Sequence, residues 1–132
     1  MPDDLFHLVC APSVLDGAPD GWIAPLLEVG ELALLPDAGG LDAITAVAHA
    51  LDLVTVPLLR SEETLQEQEQ TVMTYAGSRP LVWVAESFTD AATTWAHERG
   101  PMTLLVQSAG RLSDDERKRV ERFVVILGRQ AE

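Results

Sequence analysis

The chain has 132 residues, 47% of them apolar and 23% charged, enough for one domain with a buried core. Twenty-one acids against nine bases give a net charge of −12, and residues 1–59 hold nine Asp and Glu with no Lys or Arg, Arg60 being the first base. That distribution argues against direct nucleic-acid binding through a basic stripe and against polybasic attachment to a membrane, and no apolar run is long enough to span a bilayer.

Leu5–Cys10 is short and apolar and reads as a strand, and Asp16–Asp20 reads as a turn. Trp22–Val29 is apolar at helical spacing, with Pro25 acceptable in a first turn and Gly30 as the stop. Leu32–Leu35 reads as a second strand. Residues 41–51 are open to two readings: Leu41, Ile44, Ala48 and Leu51 fit a helix, while Ile44, Thr45 and Val47 fit a strand. Leu53–Leu59 is β-branched and apolar, and Pro57 suggests an edge position or a strand end.

Ser61 is the expected cap of a long helix ending at Gly77, with Glu62 and Glu63 in its first turn. Leu81–Ala85 and Met102–Val106 are continuous apolar runs, as in strands covered on both faces. Between them Ser87 or Thr89 caps a helix that stops at Gly100-Pro101, and Ser113-Asp-Asp-Glu116 is a capping box opening a last helix. Strand–helix–strand–helix order with short connections makes the class α/β: one three-layer domain over 1–132, with a central mixed sheet flanked by helices.

Cys10 is the single cysteine, expected as a buried structural thiol, and no Cys/His spacing of a metal site occurs. His7, His49 and His97 have no ligand-spaced partners and read as structural or surface residues. The N-terminus lacks the pattern of a signal peptide, so a cytoplasmic location is expected. The run Glu62, Glu63, Glu67, Glu69 reads as a solvated helix face, with an acidic docking surface for a basic partner as the functional option. Arg111, Arg117, Lys118, Arg119 and Arg122 form the basic cluster, interleaved with acids that pair with them along a helix.

From Asp37 to Leu112 the order of elements resembles the Mrr-type restriction endonucleases, of the restriction-endonuclease-like fold. The stretch Asp37-Ala-Gly-Gly-Leu-Asp42 stands for the family's Asp/Gly-rich turn, Leu53–Pro57 for its catalytic strand, and Leu81–Ala92 for its strand and loop–helix junction. The resemblance implies a β-hairpin over 41–51, and a metal site of an Asp and a Glu or Gln, with a Lys two residues along the same strand. Asp42 matches the family's acid, but Thr55 stands where Glu or Gln is expected and Pro57 where the Lys should be. A proline brings no cation to a phosphate, so the resemblance implies vestigial nuclease positions at Asp42, Thr55 and Pro57, with no catalytic residue and no cofactor. The expected function is a catalytically inactive structural or protein-interaction module, working with a protein partner or by self-association. Two alternatives stand beside it. One is a divergent metal-dependent endonuclease using Asp42, Glu28 or Glu31 and Arg60. The other is a flavodoxin-like or receiver-like binding domain, for which 41–51 must be a crossover helix.

Overall fold

The structure is a computed structural model and describes residues 5–15, 22–35, 40–51, 57–60, 62–108 and 110–131. Four strands, β1 (Phe6–Cys10), β2 (Gly30–Leu34), β3 (Leu81–Ala85) and β4 (Thr103–Gln107), form one sheet in the order β2-β1-β3-β4. All three pairings are parallel, with His7 opposite Glu31, Val9 opposite Trp83 and Trp83 opposite Leu105. The α/β class and the helix-flanked sheet are as the sequence predicts; the mixed sheet is not, because every pairing among the described residues runs the same way.

The missing antiparallel hairpin is the reason. Residues Gly40–Ala50 form helix α2 after α1 (Ile23–Leu27), so the hairpin expected over 41–51 gives way to the helical alternative. Ile44, Val47 and Leu51 recur every three to four residues and pack together against the core, which outweighs the strand preference of the β-branched side chains. Of the strand expected at Leu53–Leu59, residues 53–56 lie outside the described residues. Leu58 makes one parallel bridge to Leu34, flanked by hydrogen bonds from Leu34 N–H to the Pro57 carbonyl and from Leu59 N–H to the Leu34 carbonyl. Residues 57–59 thereby engage the carboxyl end of β2's outer edge, at Leu34.

Side chains alternate across the sheet. Phe6, Leu8, Cys10, Leu32, Leu34, Val82, Val84 and Val106 meet Ile23 and Leu26 of α1 and Val120, Val124 and Leu127 of α5 (Asp114–Ala131). On the other face Val9, Ala33, Leu81 and Trp83 meet Val72 and Ala76 of α3 (Leu65–Ala76) and Ala92 of α4 (Asp90–Arg99). Three layers result, doubly wound: α1 and α5 on one face, α3 and α4 on the other. Gly30 opens β2 rather than ending α1, because a Cβ there would stand 2.4 Å from Cε1 of the fully buried Phe6 ring.

Helix ends follow capping chemistry. The cap of α3 is Thr64, whose Oγ accepts from Glu67 N–H at 3.1 Å, so Glu62 and Glu63 precede the helix instead of forming its first turn. Ser61, the expected cap, lies outside the described residues. Thr89 caps α4, and Ser113 and Glu116 exchange the two hydrogen bonds of the capping box at 3.2 and 2.8 Å. Gly77 and Gly100, at φ 56° and 66°, close α3 and α4 in a backbone region that favours glycine. Arg99 fastens the end of α4 to the turn before β3: its guanidinium donates to the carbonyls of Gly77 and Arg79 and lies 4.5 Å from the Trp95 ring centroid.

Candidate interaction surface

In doubly wound sheets, ligands settle beyond the carboxyl ends of the strands where the winding reverses, here between β1 and β3. Two of the chain's own contacts lie beside that position. The 3₁₀ turn Pro12–Leu15 follows β1, α2 contacts it, and the N–H of Leu112 donates to the Val14 carbonyl. Beyond β3, the carboxylate of Glu69 accepts the backbone N–H of Thr89 at 2.8 Å and, through its other oxygen, the Thr89 hydroxyl. The positive end of α4, a natural anion site, is therefore served by an internal carboxylate.

Glu69 is only 2% exposed, which corrects its place on a solvated acidic face. Glu63 and Glu67 are exposed as expected. Glu62 is tied down: Arg60 donates to both its oxygens at 2.9 and 3.1 Å, and the Thr71 hydroxyl donates at 2.9 Å. The hydrogen bond from Arg60, then that from Thr71, holds the Glu62 carboxyl below its ordinary range, and Glu62 in turn raises the Arg60 guanidinium. These two residues, with Glu67, Gln70, Thr71 and Thr74, line a shallow open groove of about 540 Å³.

The nuclease-type positions do not form a described site. Asp42 is exposed in the first turn of α2, Pro57 is exposed at the β2 edge, and Thr55 lies outside the described residues. Among the described residues no group of three or more His, Cys, Asp and Glu could hold a metal ion. Cys10 is buried as expected, and burial pushes its thiol up to about 12, so it stays protonated and unreactive at neutral pH. Among the described residues no helix is long and apolar enough to cross a membrane.

No family model, curated protein or solved structure matches the chain.

Two features escape the sequence. His7 is 6% exposed, with Nδ1 at 3.0 Å from the Tyr75 hydroxyl, and that hydroxyl donates to Glu31, whose Oε1 lies 3.6 Å from the same histidine nitrogen. Three elements, β1, β2 and α3, meet in this polar contact, and only the strand register brings His7 beside Glu31. The second is the exposure of β4. Its apolar run predicts a strand buried on both faces, yet only Val106 is fully buried, while Leu104 and Leu105 remain partly exposed. The cause is position: among the described residues β4 pairs with β3 alone and ends the sheet.

The orientation of that edge follows from one hydrogen bond. Ser108 N–H donates to the Ala85 carbonyl of β3 at 2.9 Å, and backbone groups in a strand alternate between its two sides. The N–H and C=O groups of Thr103, Leu105 and Gln107 thus point away from β3. No Pro, Lys, Asp or Glu guards the edge, and α5, which packs on β4, exposes Val125 and Ile126.

Proposed function

We propose that this chain is a protein-interaction module, a parallel α/β domain that receives an extended protein segment along the open edge of β4. The observation carrying the reading is the uncharged strand Thr103–Gln107, with the backbone groups of three residues turned outward and no guarding charge or proline. Main-chain hydrogen bonding to such an edge is a general mode of peptide capture. At the α4 N-terminus the Glu69 carboxylate already takes the Thr89 N–H and hydroxyl that an anionic ligand would use, which favours a partner bound at the rim of the sheet. The nuclease-derived reading draws no support from Asp42 and Pro57, one on an exposed helix turn and the other on the opposite sheet edge. The winding β2-β1-β3-β4, with the parallel bridge at Leu58 outside β2, is a doubly wound α/β order, the scaffold on which this module is proposed to be built.

Hydrogen exchange tests the reading. The N–H groups of Leu105 and Gln107 should exchange quickly in the free monomer and become protected when an extended partner segment is bound. Protection that arises on α3 around Glu63 and Glu67, with 103–107 unchanged, would overturn it.

A further inference from the structure

The geometry points to a second copy of this chain as the occupant of the β4 edge, the two β4 strands pairing antiparallel about a two-fold axis to make a continuous eight-stranded sheet. This inference rests on the interaction-module reading and names its partner.

The strand is self-complementary in that arrangement. With the axis at Leu105, residues pair so that Leu105 faces Leu105 of the other copy, Thr103 faces Gln107, and Leu104 faces Val106. The three residues whose backbone groups point outward, Thr103, Leu105 and Gln107, then fall opposite one another, the register in which antiparallel partners exchange both hydrogen bonds. No charge meets a charge, and the partly exposed Leu105 side chains meet across the axis while Val106 and the Thr103 hydroxyl stay buried within each copy. A perpendicular two-fold also keeps faces matched, setting α5 beside α5 and α4 beside α4.

Charge selects the same edge. Two chains at −12 repel unless they approach by their least acidic sides. The β2 end belongs to the segment before Arg60, which carries nine acids and no base; eight of the nine bases lie between Arg79 and Arg129, around β3, β4 and α5. The β2 edge is also already engaged at Leu34 by the bridge to Leu58. Among the described residues β4 is the edge that pairs with no further strand or bridge, and it is the electrostatically permissive one.

Sedimentation velocity of the full chain over a concentration series tests the inference. We expect a monomer–dimer equilibrium that tightens as salt is raised from about 50 mM to about 0.5 M, since screening removes net repulsion. Gln107→Pro deletes an outward N–H at an exposed strand end without touching the bonds to β3, and should weaken the dimer at least about tenfold. The pair T103E/Q107E places like charges opposite each other and should give monomer, whereas T103E/Q107K should restore the dimer. Far-UV circular dichroism verifies that each variant is folded. A dimer indifferent to Gln107→Pro and to both charge pairs overturns the inference. So does a chain that stays monomeric at millimolar concentration. In that monomer, a labelled synthetic peptide of residues 102–108 separates the two readings: binding with protection of 103–107 leaves the module reading standing, and failure to bind removes both.

Discussion

Glu69, buried on α3, holds the α4 cap residue Thr89 by both its backbone N–H and its hydroxyl. The contact joins two helices on one face of the sheet, and each partner loses its alternative when the other is removed. Glu69→Ala should destabilise the fold by about 2–3 kcal/mol, the range for a charge-assisted pair of hydrogen bonds, and Thr89→Ala by about 1–2 kcal/mol as a lost cap. Urea denaturation of the single and double variants measures both. Because the two changes remove the same contact, the double variant should cost less than their sum.

Gly30→Ala should destabilise by about 1–3 kcal/mol, because the new Cβ at 2.4 Å from Phe6 Cε1 must push a fully buried ring. Phe6→Leu in the same chain should recover part of that loss. A Gly30→Ala variant as stable as the parent would contradict the packing of β1 on β2.

Tyr75→Phe removes the hydroxyl between His7 and Glu31 and keeps the ring that lies edge-on to His7 at 4.8 Å. The expected cost is about 1–2 kcal/mol. The denaturation midpoint measures it, and a neutral outcome would mean that the hydroxyl bridge adds nothing to stability.

The Cys10 thiol, raised by burial to about 12, makes a signed prediction. A group that holds its proton more tightly when folded contributes stability in full below the unfolded pKa, near 9, and loses it as the pH rises through the folded value. Between pH 9 and 12 this group should remove about 1.4 kcal/mol of stability per pH unit, and Cys10→Ser should flatten that slope while lowering stability at pH 7. Iodoacetamide should leave the native chain unmodified at pH 8 and label it in denaturant.

Local chemistry was readable in the sequence wherever a feature closes within a few residues. The capping box at Ser113 and Glu116, the Thr89 cap and the buried run Leu81–Ala85 are of this kind. Residues 41–51 read both ways because their β-branched side chains also repeat at helical spacing, and the family resemblance favours the hairpin. The role of Glu69 depends on Thr89, twenty residues away, and the His7–Glu31 contact depends on a strand register that no local pattern encodes. β4 looks like β3 in composition; its exposure comes from lying at the end of the sheet, which a strand's own residues do not report.

The unequal edges decide how far assembly can go. A two-fold β4 pairing consumes both β4 edges at once and, among the described residues, leaves outward the two β2 strands, each bonded at Leu34 to residues 57–59. With β4 used up on both copies that pairing cannot repeat, so this mode of association closes at two and does not by itself run on into a fibre.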